Sequence, residues 1–158
     1  MKIKVISLTE ANLAEIEKID NTYYSANIIG LDWYTDRYKP HHKGIALYDG
    51  KTMVGYMVAA PIKKELYDAI KSGCILNDVG FNPEMFIPES KYYYFASVVI
   101  LEPYRGKKLA NKMLDKLFEL LQDKKVVALI ISAGGYAIAS KYMKPIKQLT
   151  EKKYIFAK

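Results

Sequence analysis

The sequence predicts a mixed α/β domain, and three features carry that expectation. Two nearly continuous apolar runs, residues 92–101 and 126–132, read as strands buried on both faces. Between them Leu109, Ala110, Met113, Leu114, Leu117, Phe118 and Leu121 recur at helical spacing, so one stripe of a helix faces a core. A strand, a helix and a strand in succession imply a parallel pair with a right-handed crossover. Elsewhere Asp49-Gly50 lies between two apolar runs, a hairpin signal that adds antiparallel pairing. The chain has 158 residues, enough for a sizeable core, and with no internal repeat and no linker it reads as one domain, 1–158.

Taken in order, residues 2–7 alternate polar and apolar, with Ile3, Val5 and Leu8 on one side, and predict an edge strand. Thr9 has the chemistry of a helix N-cap, and Leu13, Ile16 and Ile19 give helix one over roughly residues 10–22. Residues 23–42 are less regular: Tyr23, Tyr24, Ile28, Ile29, Leu31, Trp33, Tyr34 and Tyr38, then Pro40-His41-His42. A short second helix and a loop are expected there. Residues 43–48 and 53–60 form the hairpin, with Pro61 closing it. Leu66, Ala69 and Ile70 predict a helix over 63–72 stopped by Gly73, followed by a packed connection over 74–90. After the second buried strand, Gly134-Gly135 reads as its break, and a helix is expected over about 136–142, stopped by Pro145. Residues 146–149 and 154–157 predict a closing hairpin around Thr150–Lys153.

Composition narrows the function classes. A hydrophobic fraction of 51% and a charged fraction of 26% are those of an ordered globular protein. The net charge of +7 favours anionic partners, phosphate-bearing ligands and nucleic acid alike. The basic residues are spread along the chain, and neither an RNP-like nor a zinc-knuckle pattern occurs, so nucleic acid is not the expected partner. Walker-A and dinucleotide glycine fingerprints are missing, which argues against nucleotide hydrolysis and hydride transfer. The lone Cys74 excludes an internal disulfide and reads as a small core hydrophobe. No Cys/His set has zinc spacing, so no metal is expected. No apolar run approaches the ~18 residues of a membrane helix, and residues 1–5 alternate like a strand and not a signal peptide. A cytoplasmic protein without a membrane partner follows as the expectation.

The turn between the first buried strand and its helix is chemically unusual. A helix start leaves about four N–H groups without partners, and Ser, Thr, Asp or Asn usually answers one. Here the chain offers Arg105, Gly106, Lys107 and Lys108. Cations at this end oppose the helix dipole, by about 0.3–1 kcal/mol each. A bound anion resolves both conflicts: Gly106 lets it approach the backbone, and the basic side chains neutralise it. The competing reading is a hydrated helix start under a solvated cationic face.

At this point the residues reach a family. Val98-Val99-Ile100-Leu101-Glu102-Pro103-Tyr104-Arg105-Gly106-Lys107-Lys108-Leu109-Ala110 resembles the acyl-CoA-binding motif of the GNAT acetyltransferases. That motif reads Arg or Gln, two residues, Gly, one residue, then Gly or Ala. Arg105 and Ala110 match its ends, and Lys108 replaces its middle glycine. The resemblance implies a GNAT-like fold, α+β or mixed α/β, with a central mixed sheet of about six to seven strands flanked by helices on both faces. It implies acetyl-CoA as the cofactor, coenzyme A as the product, and direct transfer to an amine in a ternary complex without an enzyme nucleophile. Backbone groups of Val98 and Ile100, with Val99 between them, would hold the pantetheine arm like an added strand. A backbone N–H of the same strand would polarise the thioester oxygen. Arg105 and the segment Gly106, Lys107, Lys108, Leu109, Ala110 and Asn111 would hold the pyrophosphate.

Tyr142 falls where family members often supply a proton to the leaving thiolate; the ordinary alternative is core packing under the final hairpin. The asparagine usual one or two turns earlier is missing, with Gly135 and Ser140 nearby. No general base stands out among Asp78, Glu84, Glu89 and Tyr92 to Tyr94. Residues 23–42 would line the acceptor entrance, with Asp32, Trp33 and Tyr34 as specificity contacts. The ordinary alternative is packing for those aromatics and a solvated loop for His41 and His42. The insert 63–90, between the third and fourth strands, is long enough to shape an acceptor pocket. The acceptor, a small-molecule or peptide amine, is not readable, and a homodimer is left open. Two rival readings stand: a non-catalytic acyl-CoA-binding module of the same fold, and a nucleic-acid-binding protein.

Overall fold

The computed structural model describes residues 1–23 and 30–158; Tyr24, Ile28 and Ile29 lie outside the described residues. The strands are β1 (Lys2–Ile6), β2 (Lys43–Asp49), β3 (Thr52–Pro61), β4 (Tyr92–Ile100), β5 (Lys125–Ile130), β6 (Lys144–Thr150) and β7 (Lys153–Ala157). The helices are α1 (Glu10–Tyr23), α2 (Leu31–Arg37), α3 (Lys64–Ser72), α4 (Leu109–Leu120) and α5 (Ala133–Ala139). The seven strands form a mixed sheet in the order β1-β2-β3-β4-β5-β7-β6. The chain groups into two compact units, Met1–Val58 with Ser97–Leu120, and Ala59–Ala96 with Leu121–Lys158.

In the first unit β1 and β2 pair antiparallel, from Lys2 opposite Tyr48 to Ile6 opposite Gly44. Thr9 caps α1 as its chemistry predicts: its Oγ1 accepts the Asn12 N–H at 3.4 Å. Leu13, Ile16 and Ile19 are buried. The amphipathic α4 packs against β1 and β2 and buries Met113, Leu114, Leu117 and Phe118. Gly50, at φ +60, makes the hairpin turn that the Asp-Gly pair announces. The Tyr104 hydroxyl donates to Asp49 Oδ2 at 3.0 Å, tying that turn to the approach of α4.

In the second unit Ser90 is buried; its Oγ donates to the Ile62 carbonyl at 2.6 Å and accepts the Tyr92 N–H at 2.9 Å. These two hydrogen bonds bridge the residue after β3 to the start of β4. Helix α3 ends at Gly73, whose φ of +83 is the left-handed cap the sequence indicates. Ile62, Leu66, Tyr67, Ile70 and Phe86 form one cluster joined by Phe81 and Met85, so the connection after α3 is packed over 81–86, whereas Leu76 and Val79 are exposed. The β4–β5 ladder is parallel and pairs Tyr92–Tyr94 with Lys125–Val127. The closing hairpin is present with β7 inserted between β5 and β6.

Three expectations need correction here. Helix α5 begins at Ala133, not near Tyr136, because Ser132 caps it: Ser132 Oγ accepts the Gly135 N–H at 3.0 Å. Gly134 and Gly135 therefore lie inside its first turn, and it ends at Ala139, leaving Tyr142 beyond the helix. Pro145 belongs to β6, an edge strand with a register shift at Pro145/Lys147, where a missing N–H is tolerated. Cys74 is exposed and not part of the core; the neighbouring Ser72 hydroxyl donates to its sulfur at 3.2 Å. No helix among the described residues is long and apolar enough to cross a membrane.

Candidate functional site

The last four residues of β4, Ser97 to Ile100, belong to the first unit. Val99 and Ile100 are buried and Val98 is half-buried. The Leu101 N–H donates to the Val54 carbonyl at 3.0 Å, fixing the strand exit against β3. A single 3-10 turn over Glu102–Tyr104 then redirects the chain. Arg105 folds back, its Nε donating to the Ile100 carbonyl at 2.8 Å and its guanidinium 4.9 Å from the Tyr23 ring centroid. Gly106 has φ +74, with open space where a Cβ would point.

Lys108 is the one non-glycine residue with positive φ, +56, among the described residues. Its carbonyl accepts the Lys112 N–H at 3.3 Å, the first helical bond of α4, so Lys108 occupies the N-cap position. A lysine thus adopts the conformation glycine favours, at a cost of about 1–2 kcal/mol. The N–H groups of Leu109, Ala110 and Asn111 precede that bond and point out of the helix start. Left-handed residues in a turn before a helix build an anion-binding concavity. Arg105, Lys107 and Lys108 are all exposed at its rim, and Lys107 Nζ donates to the Pro103 carbonyl at 3.3 Å. The loop fits a diphosphate: the backbone is reachable at Gly106 and the side chains are cationic.

Tyr142 lies in the second unit, on the turn between α5 and β6. Its N–H donates to the Ala139 carbonyl at 3.2 Å, and its side chain is 37% exposed, so it is a surface residue and not core packing. Asp32 is exposed, and Trp33 meets Tyr34 edge-on at 5.0 Å while the Arg37 guanidinium lies 4.7 Å from the Trp33 centroid. Tyr34 is fully buried. His42 does not belong to a solvated loop: it is 2% exposed, and burial pushes its pKa down to about 3. In the insert, Asp78 accepts a hydrogen bond from the Tyr94 hydroxyl at 3.0 Å, and Glu84 and Glu89 are exposed.

One cluster in the first unit has no counterpart in the sequence reading. Asp20, near the end of α1, accepts the Tyr34 hydroxyl at Oδ2 and the Tyr56 hydroxyl at Oδ1, both at 2.7 Å. Tyr56 Oη is in turn 3.0 Å from Ser97 Oγ. Burial raises the Asp20 pKa, and the two tyrosine hydrogen bonds oppose that rise. The signal in the sequence is a polar residue at a core position: Asp20 follows Leu13 and Ile16 at helical spacing. Among the described residues no group of His, Cys, Asp and Glu suits a metal ion.

A mixed seven-stranded sheet whose fourth strand feeds a basic, left-handed loop and an amphipathic helix is the arrangement expected of a GNAT-like fold. The sequence model of the acetyltransferase (GNAT) family matches residues 8–139, and the chain belongs to that family. Comparison with the sequences of curated proteins gives no match. Solved structures share the fold. The loading GNATL domain of CurA from Lyngbya majuscula is 12% identical with a TM-score of 0.75, covering 99% of this chain and 96% of that one. Arabidopsis thaliana NAA60, solved with acetyl-CoA, is 13% identical with a TM-score of 0.65, covering 99% of each chain. Arabidopsis thaliana Naa50, solved with the bisubstrate analogue CoA-Ac-MVNAL, is 12% identical with a TM-score of 0.61, covering 100% and 99%.

Proposed function

We propose that this protein is an N-acetyltransferase that moves an acetyl group from acetyl-CoA directly to an amine, releasing coenzyme A. The observation that carries the reading is the backbone at the head of α4, where Gly106 and Lys108 are both left-handed. A lysine pays no such conformational penalty in an ordinary hydrated helix start; the penalty makes sense where the loop must keep a concave row of N–H groups. In this reading Gly106 to Asn111, with Arg105, Lys107 and Lys108, hold the pyrophosphate. Backbone groups of Val98 to Ile100 hold the pantetheine arm and polarise the thioester oxygen as charge develops on it. The thioester supplies an activated acetyl group, so the chain needs no nucleophile of its own. Tyr142 keeps the role the family resemblance gives it, proton donor to the leaving thiolate.

The acceptor class is a peptide or small-molecule amine; the CoA-Ac-MVNAL complex of the structural neighbour Naa50 makes a peptide α-amine the first to try. Residues 63–90 are the segment this reading assigns to acceptor selection, on their length and apolar content. The test is acetyl-CoA binding by calorimetry, followed by CoA release across a panel of free-N-terminal peptides, polyamines and amino acids. Binding with release from at least one amine is the expected result. Binding without release from any of them supports the non-catalytic acyl-CoA module instead, and no binding at all overturns the reading.

A further inference from the structure

Acetyl transfer to an amine requires the nitrogen lone pair, so an ammonium must first lose a proton. The cluster on Asp20, in which Tyr34 and Tyr56 are buried, has the chemistry that step needs. Tyr56 is 2% exposed and carries a single hydroxyl proton, which it donates to Asp20 Oδ1 at 2.7 Å. At its 3.0 Å contact with Ser97 Tyr56 must therefore accept, and Ser97 must donate. Ser97 Oγ is left with lone pairs and no proton to offer, so its open side can only accept a hydrogen bond. Tyr34 donates to the other carboxylate oxygen at 2.7 Å, holding Asp20 in one orientation with both oxygens engaged by hydroxyls. The chain thus has a fixed polarity, running from a half-buried serine through the buried Tyr56 to a half-buried carboxylate. Its outer end precedes Val98 by one residue, on the strand that the acetyltransferase reading gives to the pantetheine arm.

We propose that Ser97, Tyr56 and Asp20 form a proton-accepting chain for the acceptor amine. Ser97 Oγ takes a proton from the substrate ammonium while its own passes to Tyr56, and the Tyr56 proton passes to Asp20. The freed nitrogen then attacks the thioester carbonyl carbon: the C–N bond forms, the C–S bond breaks, and the electron pair leaves on sulfur. The second amine proton accompanies formation of the thiol, and the proton on Asp20 returns to water, so one proton is released per turnover. Ser97 is the catalytic residue of this scheme; Tyr56 and Asp20 act through it. Among the described residues, the other titratable groups around the chain are Tyr34, Tyr38 and, on α1 itself, Glu17. Burial holds the Asp20 carboxyl above its ordinary range, which makes it a better proton acceptor than a surface carboxylate.

The proposal rests on the acetyltransferase reading, and one set of measurements separates the two. Full-length wild type, Asp20→Asn, Ser97→Ala and Ser97→Thr are compared for acetyl-CoA Kd, melting temperature and pH-dependent CoA release. The acceptor is the best amine of a panel containing Met-Val-Asn-Ala-Leu, spermidine and free amino acids. Asp20→Asn and Ser97→Ala should lower kcat by roughly 10²-fold or more, with acetyl-CoA affinity within about twofold of wild type. Ser97→Thr, which keeps the hydroxyl, should retain most of the rate. The acid limb of the wild-type kcat/KM profile should vanish in Asp20→Asn. Loss of rate with the acid limb intact and no rescue by threonine marks a merely structural cluster and overturns the proposal. Rates within about threefold of wild type in both variants do the same, as does a wild type that binds acetyl-CoA and acetylates no amine. Ser97→Ala removes one oxygen from a half-buried site and serves as the test if Asp20→Asn fails to fold. A wild type that does not bind acetyl-CoA fails at the earlier step and overturns the acetyltransferase reading.

Discussion

Mild acid should destabilise this protein through His42. The ring is 2% exposed, and its Nδ1 accepts the backbone N–H of Lys39 at 3.3 Å. That bond fixes the neutral form, because a proton on Nδ1 would face another N–H. Burial is the largest cause of the lowered pKa, with His41 and Lys39 adding like-charge repulsion, and the native value falls from 6.5 to about 3. The unfolded chain binds a proton near the ordinary value while the native state does not, so stability present above that value is lost as pH falls toward about 3. Between about pH 7.5 and about pH 5 the linkage amounts to about 2 kcal/mol. Urea unfolding followed by circular dichroism at those two pH values measures it, in wild type and in His42→Gln, which has no group to titrate. The wild type should lose about 2 kcal/mol more than the variant over that interval. Equal losses, within about 0.5 kcal/mol, would show that His42 is protonated in the native state near its ordinary pKa and would refute the reasoning.

Three further outcomes follow from single contacts. Lys108→Gly should raise stability by about 0.5–1 kcal/mol, since relief of the left-handed lysine exceeds the added entropy of an unfolded glycine, and acetyl-CoA affinity should not weaken. A lower melting temperature in that variant would contradict the strain. Gly55→Ala places a Cβ 3.0 Å from Ile100 Cγ1 and 3.0 Å from the Val99 carbonyl, so it should destabilise by about 1–3 kcal/mol and weaken acetyl-CoA binding in the same calorimetric assay. Tyr142→Phe should slow CoA release by roughly 10²-fold at saturating acetyl-CoA; an unchanged rate removes Tyr142 from the mechanism.

What was legible in the sequence was whatever a local rule decides. The buried runs of β4 and β5 announce themselves by composition, Asp49-Gly50 by turn chemistry, and Gly73 by its place after a helical stripe. The misplaced start of α5 shows the limit of such rules: Gly134-Gly135 looked like a break, while one Ser132 hydroxyl was enough to nucleate the helix three residues earlier. Lys108 shows the opposite case. Its side chain departs from the motif, yet its backbone takes a left-handed conformation that glycine adopts most readily, a choice made by the loop and not by the residue.

The Asp20 chain was illegible for a third reason. Its members are separated by 36 and 41 residues, and each alone looks like an isolated polar atom in an apolar element. A polar atom in such a place costs stability unless it is partnered, and here each partner is another such atom, from a helix and two strands. Replacing all of them with apolar groups would satisfy the core more simply. That the fold keeps a carboxylate, a phenol and a serine aligned in one direction is a departure from the packing rules that α1, β3 and β4 otherwise obey. Departures of this kind concentrate where a protein acts on something else. The left-handed Lys108 is another departure, and it stands at the head of α4, the helix that follows the strand carrying Ser97.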